Sequence, residues 1–289
     1  MDAQLIQPGE AYQFLDVDML EPQLFEVADG WAAVFSSRRP ENTGSNEDAA
    51  AVISTAPDAG VLVVADGCGG MAGGAQAARL AVECLTRTIQ NAHRDGEALR
   101  TAILDGVELA NAEILALRTG AAATLAVVQI EDGAVRPYHI GDAQILMVGG
   151  RGKLKLLTTS HSPVGYAVEA GVLEESEAIH HEDRHLVSNV LGTSEMHVEV
   201  GAPRHMAARD GVLVASDGVL DNLLIDEAVQ SLRSGSAWTA AGQIATAARQ
   251  RMEAPTSHNP SKPDDLTLIV FSRRKQAFRP ARQRSVSAV

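Results

Sequence analysis

Cysteine is nearly absent: the 289-residue chain has two, Cys68 and Cys84. That excludes a disulfide framework and a cysteine-rich zinc site, and it suits a reducing compartment. No apolar run is long enough to span a bilayer, so no membrane association is expected. The N-terminal stretch MDAQLIQPGEAYQFLDVDML has neither the basic start nor the apolar core of a secretory signal, and a cytoplasmic location is expected. Positive charge is also in deficit. The net charge of −13 argues against non-specific nucleic-acid binding. Residues 273–289 hold six Arg/Lys and no acid, so the rest of the chain is more acidic still. A body that acidic must offset its own repulsion, and bound cations are one means. No internal repeat of solenoid length occurs.

What is present fits one domain between two ends of different character. Residues 1–29 have weak periodicity and several acids, and are expected as an N-terminal extension wrapped on the body or partly disordered. Residues 273–289 are expected as a basic disordered tail, in which Ser285 and Ser287 sit among arginines. Between them, Trp31–Ser36, Ala49–Ser54 and Val61–Ala65 are short apolar runs separated by turn signals, as in strands. Residues 75–90 and 97–117 carry apolar residues at helical spacing. Residues 123–130, 134–140, 144–148 and 153–157 then read as a meander of strands. Late strands follow at 211–215 and 266–271, with an alanine-rich helix at Ala237–Arg251 between them. Hairpin-like runs of strands with paired helices predict antiparallel sheets covered by helices, not a parallel βαβ fold.

One local pattern occurs twice. Val61–Ala65 leads into Asp66-Gly67, and Val212–Ser216 leads into Asp217-Gly218: an apolar strand, a small residue, then Asp-Gly. Two further carboxylate pairs, Glu47-Asp48 and Asp264-Asp265, precede strands instead. Strand ends and neighbouring strand starts share one edge of an antiparallel sheet, so Asp48, Asp66, Asp217 and Asp264 converge if these strands are neighbours. A single Asp-Gly is only a turn signal. Four acidic strand ends are more: converging carboxylates repel unless a cation compensates them, and an all-oxygen set suits Mg²⁺ or Mn²⁺. Two such ions a few ångströms apart lower the pKa of a water between them and offset the charge of a phosphate under in-line attack. Hydrolysis of a phosphate ester is the chemistry these carboxylates suit.

With these residues in order, the chain resembles the metal-dependent protein serine/threonine phosphatases of type 2C. The matching motifs are Asn46-Glu47-Asp48, Ala65-Asp66-Gly67-Cys68-Gly69-Gly70, Ala123-Thr124-Leu125, Ile140-Gly141-Asp142, Val187–Thr193, Ala215-Ser216-Asp217-Gly218 and Asp264-Asp265-Leu266-Thr267. The resemblance covers roughly residues 31–272 and implies a catalytic domain over 30–272, an α-β-β-α sandwich with a flap segment at about 160–192. It implies hydrolysis of phosphoserine and phosphothreonine in proteins by a hydroxide bridging two Mn²⁺ or Mg²⁺ ions, with a cognate serine/threonine kinase as the opposing partner. By position, Asp66 bridges both metals, the Gly67 carbonyl binds one, and Asp217 and Asp264 complete the other. Asp48 acts through water, and Asp142 helps hold a third, weaker ion.

Departures concern the substrate side. The arginine that many bacterial members place four residues before the Glu of the Asn-Glu-Asp motif is Thr43 here, leaving Arg38 or Arg39 as candidates for the substrate phosphate. Ala143-Gln144 replaces the usual serine-arginine, Cys68 a frequent histidine, and an alanine stands where glycine usually precedes the Thr-Thr or Ser-Thr pair. Thr43 and Ala143-Gln144 support the alternative of a weak or inactive phosphatase-like domain that binds phosphoproteins as a regulatory module, and the retained Asp66, Asp217 and Asp264 speak against it. Other readings fare worse. Gly67–Ala72 fits a dinucleotide-binding G-x-G-x-x-A, but Asp66 would sit beside the pyrophosphate. A cysteine-nucleophile phosphatase needs an arginine six residues after its cysteine, where Gly74 and Gln90 stand. His180, His181 and His185 lack the glutamate of a zinc-protease helix and read as exposed flap histidines.

Overall fold

A computed structural model describes residues 3–68, 73–178, 181–184, 186–233, 236–256 and 259–274. The strands are β1 (Gln4–Leu5), β2 (Ala11–Leu15), β3 (Gln23–Val27), β4 (Gly30–Ser37), β5 (Asp48–Ala56), β6 (Ala59–Gly67) and β7 (Ala123–Glu131). They continue with β8 (Ala134–Ile140), β9 (Gln144–Val148), β10 (Leu154–Leu157), β11 (Glu199–Val200), β12 (Arg204–His205), β13 (Gly211–Ala215) and β14 (Leu266–Arg273). The helices are α1 (Gly74–Asp95), α2 (Leu99–Ala116), α3 (Pro163–Glu169), α4 (Glu175–Ala178), α5 (Asp217–Leu220), α6 (Ile225–Arg233) and α7 (Ala237–Glu253). One sheet runs β1-β3-β4-β14-β13-β9-β10; the other runs β11-β8-β7-β6-β5-β2, with β12 also on β8. All pairings are antiparallel except β1 with β3.

The uninterrupted apolar strands follow from burial on both faces. In β5 and β6, Ala50, Val52, Leu62 and Val64 face the other sheet, while Ala49, Ala51, Ile53, Val61, Val63 and Ala65 face α1 and α2. The first sheet is covered likewise: Ala240, Ala241, Ile244 and Ala248 of α7 join the core that holds Val34, Leu268 and Val270. Helix pair, sheet, sheet and helices make the α+β sandwich that the sequence predicts.

Two expectations change. Residues 4–27, set apart in the sequence as an extension, supply strands to both sheets: β2 pairs with β5, and β3 pairs with β4. The partner of β2 lies far along the chain, which local periodicity cannot register, whereas β3 and β4 form a hairpin across Ala28-Asp29. Nor do β7 to β10 form one meander. β8 pairs with β7, whereas β9 pairs with β13 and β10, so the chain crosses between sheets at Gly141–Ala143. On the outer side of β8, Pro137 lies between the residues paired to β11 and those paired to β12. At the C-terminal end, Arg273 closes β14 and the Arg274 amide bonds the Asp29 carbonyl at 2.8 Å; residues 275–289, with Ser285 and Ser287, lie outside the described residues.

Candidate active site

The acidic strand ends meet where the two sheets end together, a pair from each. Asp48 and Asp66 are direct partners on β5 and β6. Asp217 opens α5 just after β13, and Asp264 stands two residues before β14, the strand beside β13. Ser216 ties the sheets together: its hydroxyl donates to Asp48 Oδ2 at 2.8 Å and accepts the Thr267 amide at 3.1 Å. Asp142 enters from the crossing between β8 and β9, where Gly141 has φ +90° and a Cβ would stand 2.6 Å from Thr124 Cβ. Convergence thus occurs across two sheets, not along one edge.

Hydrogen bonds hold the loops that carry these groups. Asn46, 2% exposed, donates to Val17 O at 2.8 Å and Ser36 Oγ at 3.0 Å and accepts the Asp48 amide at 2.9 Å, setting the turn before β5. Asp265 accepts the amides of Arg39 and Glu47 at 2.7 and 2.6 Å, so the second acid of its pair serves the backbone. Gly218 has no room for a side chain, because a Cβ would lie 2.1 Å from the Asp265 carbonyl oxygen.

The carboxyls are strained electrostatically. Burial, then the charges of Asp48, Asp217, Asp142 and Asp264, hold Asp66 well above the usual carboxylate range. Burial raises Asp48 strongly, despite the hydrogen bond from Ser216. Asp142 is pushed up to about 8 by burial and then by Asp217 and Asp221. Asp264 rises to about 6, by burial and then Asp217. Such mutual repulsion is the condition that divalent cations relieve, and an oxygen-only donor set of this kind fits Mg²⁺ or Mn²⁺.

One protein cation already stands among these groups. Lys262 Nζ lies 2.6 Å from Asp217, 2.9 Å from Asp221 and 2.9 Å from Asp264. The sequence analysis missed both Lys262 and Asp221, although Asp217 and Asp221 at i, i+4 on a helical turn carried a readable signal.

On the substrate side, the Arg38 guanidinium pairs with Asp16 at 3.1 Å, while the charge of Arg39 acts on Glu47 beside Asp48. A cavity of about 320 Å³ opens between Asp142, Asp217 and Asp221 on one side and Ser162, Val164 and Arg184 of the flap on the other. The Cys68 thiol is pushed up to about 12 by burial and then by Asp142 and Asp217, so no thiolate forms near neutral pH. In the flap, His181 Nδ1 accepts the Asp183 amide at 3.1 Å; His180 and His185 lie outside the described residues.

A second group, His139, His161 and Glu199, brings potential ligand atoms within 4.8 Å of one another. Its hydrogen bonds assign both Nε2 atoms a proton. His139 Nε2 faces the Thr159 carbonyl at 2.8 Å, so it must donate. His161 Nδ1 accepts the Gly141 amide at 3.1 Å and Asn189 Nδ2 at 2.8 Å, leaving its Nε2–H toward Glu199 at 3.2 Å. Protonated nitrogens cannot ligate a metal. The His161 carbonyl and amide also bond Ser188 and Gly141, so the group clamps the turn that carries Asp142 to the flap.

Comparison with known proteins agrees with this geometry. The family model described as Protein phosphatase 2C matches residues 37–254. A protein of Streptococcus pyogenes serotype M6 described as 2C-type protein phosphatase is 28% identical over 181 residues, covering 60% of this chain and 73% of the relative. The serine/threonine phosphatase MsPP of Mycobacterium smegmatis, solved with cacodylate, aligns at TM-score 0.68 and 24% identity over 83% of this chain and 97% of its own. The catalytic domain of the serine/threonine phosphatase PstP, solved in complex with two manganese ions, aligns at TM-score 0.64 and 23% identity, over 83% and 96%. At these identities the solved structures establish the fold, and the family match establishes the rest: this chain belongs to the protein phosphatase 2C family.

Proposed function

We propose that the chain removes phosphate from phosphoserine and phosphothreonine in proteins, with divalent cations held by Asp66, the Gly67 carbonyl, Asp217 and Asp264. Asp48 acts through water and Asp142 at a weaker additional position. The observation that carries this reading is the convergence of acidic strand ends from both sheets, with carboxyls raised above their ordinary pKa by burial and then by one another. Bound there, the ions supply activation of a water and neutralisation of phosphate charge. The chain's own residues do the positioning. Ser216 fixes the Asp48 carboxyl, Asp265 fixes the Arg39 and Glu47 backbone, and the His161 clamp fixes the turn of Asp142. Arg39 is the candidate for the substrate phosphate, since Arg38 is engaged by Asp16. The cavity beside the flap receives the peptide around the phosphoresidue.

Phosphoprotein substrates imply an opposing serine/threonine kinase, and the composition suits the cytoplasm. Among the described residues no helix is long and apolar enough to cross a membrane.

The test is turnover of a phosphothreonine peptide by the purified chain, with and without chelator. Activity should be lost on chelation, return with Mn²⁺, and be nearly abolished in Asp66→Asn. Chelator-resistant turnover, or an active Asp66→Asn, rejects the assignment. No turnover with retained phosphoprotein binding supports the regulatory-module alternative that Thr43 and Ala143-Gln144 suggest.

A further inference from the structure

We propose that Lys262 is a built-in counter-cation of the metal centre: its ammonium and a divalent ion exclude each other among Asp217, Asp221 and Asp264, so that Lys262 sets how tightly this position takes metal. This rests on the carboxylates being the metal site.

The ammonium stands among three carboxylates. It donates to Asp217 Oδ2 at 2.6 Å and pairs with one carboxylate oxygen each of Asp221 and Asp264 at 2.9 Å. The lysine is also held in place by its backbone. Asn222, 0% exposed, accepts the Lys262 amide at 2.8 Å and donates to the Lys262 carbonyl at 2.9 Å. Pro263 follows, which confines Lys262 to extended backbone and aims its side chain consistently. The side chain is only 27% exposed. A surface lysine with a chance contact has none of these supports.

A divalent ion needs the same oxygens at about 2.0–2.2 Å, and an ammonium at its present distance from them would face that ion as a like charge. Entry of the ion therefore requires the lysine to withdraw, and the lysine's own ion pairs oppose that withdrawal. Without metal, the same ammonium offsets part of the repulsion among the three carboxylates, and so keeps the cluster folded while it waits for metal.

The probe is Mn²⁺ alone, titrated into metal-free protein and followed by the electron paramagnetic resonance signal of free Mn²⁺. Lys262→Met should tighten the weakest core position at least about tenfold, or add one bound ion, since it removes a like charge a few ångströms away. Lys262→Arg, which keeps the charge, should stay close to the wild type. Equal stoichiometry and affinity in Lys262→Met and wild type, or weaker binding in Lys262→Met, overturns the proposal. Should Lys262→Met fail to fold without metal, the wild type alone decides. Acetylation of Lys262, read by mass spectrometry, should be slow in the metal-free protein and faster with saturating Mn²⁺. Labelling indifferent to Mn²⁺ overturns the inference while leaving the metal site intact. Absence of any Mn²⁺ binding overturns both.

Discussion

Loading the carboxylate cluster with Mn²⁺ at pH 7 should expel protons into the buffer. With Asp142 at about 8 and Asp264 at about 6, the metal-free protein at pH 7 carries roughly 0.9 of a proton on the first and 0.1 on the second. Asp48 and Asp66 are raised in the same direction, by burial first and then by their acidic neighbours. Ligands must be deprotonated to bind, so Asp142 and Asp264 together release about one proton per protein when the site fills. Isothermal titration calorimetry at one pH in two buffers of different ionisation enthalpy measures the number directly, as the slope of apparent enthalpy on buffer enthalpy. Release should fall at pH 9, where Asp142 has already lost most of its proton. Binding with no proton release at pH 7 would refute the reasoning, because the carboxyls would then be ionised before metal arrives.

Stability should show the same strain. Folded-state pKa values raised above 3.8 give the metal-free chain a stabilising contribution that is whole below that pH. It is lost as pH rises through about 6 for Asp264 and about 8 for Asp142, so the metal-free melting temperature should drop between pH 5 and 8.5 and recover with Mn²⁺. Gly218→Ala forces a methyl group against the Asp265 carbonyl and should cost about 1–3 kcal/mol, read as a lower urea midpoint with unchanged slope. Ser216→Ala removes the hydroxyl that serves both Asp48 and the buried Thr267 amide, and should cost about 1–3 kcal/mol in the same assay.

Much of this was readable because strand ends and apolar alternation are local features. The runs at 49–54, 61–65 and 123–130 lie within β5, β6 and β7, and the Asp-Gly ends of β6 and β13 mark the site. The helices expected at 75–90, 97–117 and Ala237–Arg251 match α1, α2 and α7 closely. Pairings between distant segments were not readable. β2 is a short strand whose apolar face makes sense only beside β5, and the split of β8 and β9 into different sheets leaves no mark on either strand. Lys262 was missed because a lysine two residues before an aspartate is ordinary in sequence. Its meaning comes from Asp217 and Asp221, which folding brings to it. His139, His161 and Glu199 escaped notice for the same reason.

The central claim is that the starts of β5 and β14 and the ends of β6 and β13 hold the metal. Anomalous diffraction from crystals soaked in Mn²⁺ tests it most directly. The account requires at least two peaks, each about 2.0–2.2 Å from carboxylate oxygens, with Asp66 between them and Lys262 moved off Asp217 and Asp264. Peaks at His139, His161 and Glu199 instead, or none beside Asp66, would contradict it.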